Sequence, residues 1–437
     1  MGALKKKDGL RPGDVVDVAV EKGVYRGLGL ARHEGQVVFV PHTLPGETAR
    51  VRIERVGRGY ANARLMDLTG SSPERRPSPC PYVPRCGGCA HQEMDYEAQR
   101  RLKETVLRDS LARAGVVWPE PIPLVASPET GWRLRASLHF ASTPAGLKLG
   151  LFEEGSHRVV DVDACLQLSD ALNQMARAIA GALASRPAWS ARVRTLEVAE
   201  SIDGARRVAC LRVEGDLGSA APLAALAGEV PWLTGLGVSD LDGGRFVALK
   251  GDPYVENLVD GVMFRSHVRS FFQGNRYLVE PLARAVVDAI PGTGPVLDLY
   301  SGVGLFAVLA ARRGGLVTGV EVSAPAVEDA KVNAARAHLH NVRFDAMDVA
   351  AALGTAAALP GESVILDPPR TGAGPGVIDA LRSRRPARIV YVSCDPPTLG
   401  RDLRGLLGGG YRIASVQAFD MFPDTFHIES VVALQAE

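Results

Sequence analysis

The chain has no apolar run approaching the ~20 residues that cross a bilayer, so a membrane-spanning helix is not expected. Its opening stretch, "MGALKKKDGLRPGD", has basic residues but no apolar segment behind them, and so does not read as a secretory signal. Met1-Gly2 is a weak acylation signal, because Lys6 stands where Ser or Thr is favoured. A cytoplasmic location is the expectation. Net charge is only +1, so no chain-wide basic field announces nucleic acid. No internal repeat or long low-complexity tract occurs, which argues against a solenoid. Cysteine is scarce: Cys80, Cys86, Cys89, Cys165, Cys210 and Cys394 are all there are. A cytosolic chain of this length does not need disulfides.

What is present fits a soluble globular protein of two or three domains, with 437 residues, 46% hydrophobic and 23% charged. Residues 11–70 carry short alternating segments punctuated by Gly and Pro, the pattern of a small all-β barrel. Within them "ARVRIERVGRGYANARLMD" (49–67) is rich in Arg around Tyr60, which suits either RNA or a solvated β face. "GSSPERRPSPCPYVPRCGGC" (70–89) marks a boundary. A polar helix is expected over 93–116, stopped by Gly115. A β-rich stretch follows over roughly 130–265, interrupted by the helix "SDALNQMARAIAGALAS". From about 267, apolar strands alternate with amphipathic helices, which implies a parallel, doubly wound α/β sheet. The expected domains are 1–70, 71–266 and 267–437, with the 93–116 helix packing on the last.

"VLDLYSGVGLFAVLAARRG" (296–314) reads strand, glycine turn, helix. Gly302 and Gly304 let backbone approach a ligand, and the helix-opening amides favour a polar group. Glu321 ends the next strand, where an acid can hold ribose hydroxyls. The third glycine of the NAD fingerprint is missing, and the pattern looks more like a methyltransferase that binds S-adenosylmethionine. Asp348, after the third strand, faces either an adenine ring or its own helix as an N-cap. In "VILDPPRTG" (364–372) two prolines stiffen the backbone after Asp367. Amino-methyltransferases carry a similar motif with an aromatic residue after the prolines; here Arg370 stands there.

"IVYVSCDPPTLGRDL" (389–403) puts Cys394 at the carboxyl end of a buried strand, the edge where open α/β sheets bind ligands. A free thiol is commonly just a small core residue. A nucleophile is the alternative. Uracil C5 becomes nucleophilic when a thiolate adds to C6, and it can then attack a sulfonium methyl; a base must next remove the C5 proton. Glu429, in "DMFPDTFHIESVVAL" (420–434), is the candidate base, or an ordinary edge-strand acid. Period two places it on one strand face with His427. RNA cytosine-5 enzymes often have a second Cys in the fourth-strand motif, and "LDPPR" has none, which favours uracil.

These motifs identify a resemblance over nearly the whole chain to the RNA uracil-5-methyltransferases that act on bacterial 23S ribosomal RNA. "SCDPPTLGRDL" and "DMFPDTFHIESV" look like the family's two signatures. The resemblance implies Cys394 as nucleophile and Glu429 as proton acceptor. It implies Gln273, Tyr300, Glu321 and Asp367 around S-adenosylmethionine. Family members often have Asn where this chain has Leu305. The fold implied is a Rossmann-like class I methyltransferase domain behind an N-terminal TRAM β-barrel, which binds RNA, and a β-rich central iron–sulfur domain. Cys80, Cys86, Cys89 and Cys165 match the ligands of a [4Fe–4S] cluster, a set that also suits zinc. Cys210 reads as a buried strand residue. The transfer-RNA branch typically lacks barrel and cluster, so ribosomal RNA is the expected partner, without an obligate protein partner. A transfer-RNA enzyme and a non-catalytic RNA-binding iron–sulfur protein are the alternatives.

Overall fold

The computed structural model describes residues 9–144, 146–217, 220–355 and 357–437; the Met1-Gly2 signal with Lys6 lies outside them. The chain forms two compact units, one of residues 1–109 with 424–427, the other of residues 110–423 with 428–437.

In the first unit five strands close a barrel, in the order Val15–Val24, Leu28–His33, Gln36–Pro41, Tyr60–Gly70 and Thr48–Gly57. Alternation drives closure. Val18, Val38, Val40, Val51, Ile53, Ala61 and Ala63 fill the interior, while arginines point outward. Arg50 pairs with Asp17 at 3.0 Å and Arg64 with Glu54 at 3.4 Å, whereas Arg52 faces Arg64 directly across the ladder. Beyond the barrel, the fully buried Glu47 gathers the Leu44 amide at 2.7 Å and the Arg75 guanidinium at 2.5 Å. The expected polar helix is present as Tyr96–Arg113.

The second unit holds two large sheets. The seven-stranded one runs Phe246–Gly251, Gly235–Asp240, Arg207–Val213, Val193–Glu200, Arg135–Thr143, Gly146–Phe152, Val159–Asp161. Its apolar face packs on the helix Asp170–Ala184, whose Leu172, Met175, Ile179 and Leu183 line one side. Ser169 caps that helix, accepting from the Leu172 amide at 3.1 Å.

The eight-stranded sheet runs Val342–Ala346, Val317–Glu321, Val296–Leu299, Ser363–Leu366, Arg388–Ser393, Glu429–Ala436, Tyr411–Phe419, Leu124–Val125. The chain starts at Val296–Leu299, winds outward one way through two strands, then returns to the other side at Ser363–Leu366. That reversal is the switch point of a doubly wound fold, and ligands bind at its carboxyl edge. The first five strands are parallel, as expected. Glu429–Ala436 is not: it lies antiparallel to both neighbours. An antiparallel strand begins where its parallel neighbour ends, so the first residue of Glu429–Ala436 arrives at the same edge as Cys394. Among the described residues no helix is long and apolar enough to cross a membrane.

Candidate active site

Three turns meet at the switch point. After Val296–Leu299 the backbone takes left-handed conformations at Tyr300 (φ 63°), Gly302 (φ 54°) and Gly304 (φ 81°). Gly304 precedes the helix Leu305–Ala311, and a Cβ there would come within 2.9 Å of the Phe344 ring. At Gly302 a Cβ would meet only open space, so glycine there serves the backbone turn. Glu321 holds this turn: its Oε2 accepts from the Gly302 amide at 3.1 Å and its Oε1 from the Ser323 amide at 2.8 Å. Beneath it, Asp298 is fully buried, and its Oδ2 accepts from the Ala307 amide at 2.9 Å. Asp298 Oδ1 and Ser301 Oγ, both buried, have no hydrogen-bond partner among the described residues. Burial, and then the charge of Asp367, pushes the Asp298 carboxyl well above the usual range. Asp348 caps the helix Val349–Thr355, accepting from the Ala351 amide at 3.1 Å. After burial, its charge is also the next largest influence raising the Tyr300 phenol. Leu305 is buried in the core.

The second turn follows Ser363–Leu366. Gln273, 4% exposed, donates its side-chain amide to Asp367 Oδ2 at 3.2 Å. Burial raises Asp367 to about 7, against the lowering effect of that hydrogen bond. The Gln273 loop is pinned by the fully buried Asn275, which donates to Ser127 Oγ at 2.9 Å and to the Met421 carbonyl at 3.1 Å.

The third turn carries the thiol. Pro396 and Pro397 do not merely end the strand. They open the helix Pro396–Leu407, with Asp395 as its N-cap, accepting from the Thr398 amide at 3.0 Å. Ser393 pairs with Ser430 in the antiparallel ladder, and Ser430 Oγ donates to the Ser393 carbonyl at 3.1 Å. Cys394 and Glu429 are the residues that adjoin this last pair of the ladder. Glu429 is 4% exposed. Burial pushes Cys394 up to about 12, helped by the charges of Glu429, Asp367 and Asp395 and opposed by Arg370. Glu429 is raised well above its ordinary value by burial and then by Asp367, with Arg370 again opposing. Cys394, Glu429, Asp367 and Arg370 therefore share one electrostatic field.

Sequence reasoning passed over what fixes Arg370. Thr398 Oγ1 donates to the Arg370 carbonyl at 3.2 Å and Arg401 to the Thr371 carbonyl at 2.9 Å. Asp402, 2% exposed, accepts from the Ala373 amide at 2.9 Å and from the Tyr391 hydroxyl at 2.7 Å. Gly372 (φ 75°) is required here, since a Cβ would approach the Asp402 carboxylate to 2.6 Å. The helix behind Cys394 thus clamps the loop behind Asp367. A cue was present: a thiol beside two acids calls for a cation, and "DPPR" offers one.

Two readings need correction. The strand begins at Glu429, so His427 lies outside it and shares no strand face with the acid; its ring rests 4.0 Å from Phe426. The parallel sheet is mixed, as described above. Of the cysteines, Cys210 is buried with its Sγ 3.6 Å from Ser239 Oγ, as expected of a strand residue. Cys80, Cys86 and Cys89 lie in the first unit and Cys165 in the second. Gln92 Nε2 donates to Cys89 Sγ at 3.6 Å, an outer contact of the kind that ligand thiolates receive. The thiol chemistry suits an iron–sulfur or zinc centre, but among the described residues no three His, Cys, Asp or Glu side chains converge to hold a metal.

Residues 252–437 match the sequence model of a family described as tRNA (Uracil-5-)-methyltransferase, and residues 9–66 match the TRAM domain. An uncharacterized RNA methyltransferase of Halalkalibacterium halodurans is 30% identical over 99% of both chains. The 23S rRNA (uracil(1939)-C(5))-methyltransferase RlmD of Shewanella frigidimarina is 33% identical, over 94% of this chain and 93% of its own. Among solved structures, the Pyrococcus abyssi tRNA (uracil-54, C5)-methyltransferase, in complex with S-adenosyl-L-homocysteine, superposes with a TM-score of 0.72 at 28% identity. That alignment covers 95% of this chain and 99% of the other.

The shared field gives opposite signs for two substitutions. Arg370→Gln removes the cation that lowers the Cys394 thiol, so iodoacetamide should alkylate Cys394 several-fold more slowly at pH 9. Glu429→Gln removes a charge that raises it and should speed the same reaction. Equal rates for both variants and the parent protein, followed by mass spectrometry of the Cys394 peptide, would dissolve the proposed field.

Proposed function

We propose, from the premise that the chain belongs to the family of S-adenosylmethionine-dependent RNA (uracil-5-)-methyltransferases, that it methylates C5 of a specific uridine in 23S ribosomal RNA. The observation that carries this reading is the antiparallel pairing of Ser393 with Ser430, which brings the adjoining Cys394 and Glu429 to the same switch-point edge.

S-adenosylmethionine would supply an electrophilic methyl group on a cationic sulfur. The cradle suits such a group: Asp298 Oδ1 and Ser301 Oγ are buried polar atoms without partners among the described residues, and Gly302 faces open space. Glu321, Asp348, Tyr300, Gln273 and Asp367 would hold it. The Cys394 sulfur adds to C6 of the uracil and makes C5 nucleophilic. After C5 has taken the methyl, Glu429 removes the C5 proton and the C6–S bond breaks, returning the thiolate. A carboxyl raised by burial is a stronger base than an ordinary glutamate, which suits proton removal from carbon. Burial favours the neutral thiol at Cys394. Arg370, and the positive charge of the cofactor, favour the thiolate once the site is loaded. The target uridine must be unstacked to reach the thiol, so a loop or bulge suits better than a paired stem.

The ribosomal substrate is supported by the 23S rRNA enzyme at 33% identity. The N-terminal barrel no longer separates it from transfer RNA, because a tRNA-modifying structure aligns along 95% of this chain. Within this reading, residues 1–70 and 71–266 bind RNA and 267–437 perform the chemistry, in the cytoplasm. The family resemblance would make Cys80, Cys86, Cys89 and Cys165 the ligands of a [4Fe–4S] cluster or a zinc ion, with no catalytic step passing through it.

Cys394→Ala should lose methyl transfer by at least about 10⁴-fold while RNA binding survives. Glu429→Gln should accumulate a covalent RNA–protein adduct, seen on denaturing gels. Normal turnover by either variant removes that residue from the mechanism. Mapping 5-methyluridine in RNA from a strain lacking the protein should show one site lost from 23S rRNA; a loss confined to transfer RNA reassigns the substrate. Anaerobically purified protein should be brown and contain iron. Colourless protein with zinc would select the alternative metal, and metal-free protein would end the assignment.

A further inference from the structure

The helix Ala324–Arg336 begins just after the Glu321 turn, within the second unit. Its buried face is mostly small and apolar: Ala326, Val327, Ala330 and Ala334. Two polar residues are buried with them, Asp329 at 1% exposure and Asn333 at 0%. Four positions apart, they lie on one side of the helix. Polar groups this deep are kept only where partners satisfy them, so their partners are informative.

Asn333 spends its whole side-chain amide on backbone. Its Nδ2 donates to the Val303 carbonyl and to the Arg265 carbonyl, both at 3.0 Å, and its Oδ1 accepts from the Arg265 amide at 2.8 Å. Two carbonyls and one N–H admit only one orientation of the amide. Val303 stands between Gly302 and Gly304, in the turn that Glu321 also holds. Tyr300, which opens that turn, is a non-glycine residue in a left-handed conformation and has to be held by its surroundings. The helix is close enough that a Cβ on Gly304 would lie 3.1 Å from Ala330 Cβ. Arg265 belongs to the strand Val262–His267, which pairs with Tyr254–Val259 in a separate two-stranded sheet. Asn333 therefore ties a strand outside the large sheet to the turn at its ligand edge. Asp329 grips the same strand further on. It accepts from Arg265 Nε at 3.1 Å, and from the His267 amide and Ser270 Oγ at 2.8 Å each. Three residues past Ser270 stands Gln273, which meets Asp367.

We propose that Asn333 is a positioning residue for cofactor binding: by fixing the Val303 carbonyl it holds the Gly302–Gly304 turn in the shape that receives S-adenosylmethionine, and with Asp329 it keeps that turn aligned with the Gln273 loop. The inference rests on the cofactor cradle described under Proposed function. It acts on affinity, before any chemistry, and leaves Cys394 and Glu429 untouched.

The test compares Asn333→Ala and Asn333→Ser, in the full chain, with the parent and with Ile179→Ala. The last cuts a cavity in the other core, between the helix Asp170–Ala184 and the seven-stranded sheet. By calorimetry, S-adenosylhomocysteine should bind at least about tenfold more weakly to both Asn333 variants. The KM for S-adenosylmethionine should rise by a like factor, with kcat at saturating cofactor within about threefold of the parent. Without cofactor, the peptide covering 296–309 should exchange its amide hydrogens faster, while the strand 388–393 keeps the parent rate. Ile179→Ala should show none of these changes. Parent-like affinity in both Asn333 variants overturns the proposal, and so does a loss that Ile179→Ala shares, since that is what general destabilisation gives. Should Asn333→Ala not fold, Asn333→Ser, polar but too short to span both segments, decides by the same readouts. The calorimetry needs neither RNA nor turnover, so it stands however Cys394→Ala and Glu429→Gln behave. A parent chain that binds no S-adenosylhomocysteine ends the cofactor reading itself, and this proposal with it.

Discussion

One reversed strand governs this site. In a wholly parallel sheet every strand would deliver its last residue to the ligand edge. Here Glu429–Ala436 runs against its neighbours and delivers its first. Two residues 35 positions apart, Cys394 and Glu429, thereby adjoin the last pair of that ladder, Ser393 with Ser430. Loops contribute the remaining groups, but a sheet is stiffer than a loop, and a reaction needing a nucleophile and a base across one ring gains from that stiffness.

The charge balance follows from this crowding. Asp298, Asp367 and Glu429 are all raised by burial, and Asp298 and Glu429 also by the charge of Asp367. Arg370 is the cation that opposes this at Cys394 and Glu429. Such a cleft binds protons that the unfolded chain would release, and it favours a cationic ligand over a neutral one of the same shape. The clamp of Thr398, Arg401, Asp402 and Tyr391 on the Arg370 loop is then more than packing. It keeps the balancing charge where the acids need it.

Much of this was legible in the residues. Alternation over 11–70 foretold the barrel, and the strand–glycine–helix pattern at 296–314 located the switch point. Cys394, Asp367 and Glu429 could each be picked because prolines or strand ends mark them. The reversed strand was not legible, since a short apolar run looks the same in either direction. The error at His427 has the same origin: period two was applied to a residue that precedes the strand. Arg370 was noticed only for the aromatic it replaced. The barrel as a sign of ribosomal substrate rested on a family habit and not on a physical contact.

The strand that bears Glu429 is buried on both faces from Glu429 through Leu434. Inward–outward alternation therefore says nothing about how it should line up with Arg388–Ser393. A slip by a single position would exchange its faces and carry the carboxylate to the far side of the sheet. The hydroxyl of Ser430, bonded to the Ser393 carbonyl, is a polar pin in an otherwise greasy seam, and it turns an ambiguous alignment into one frame.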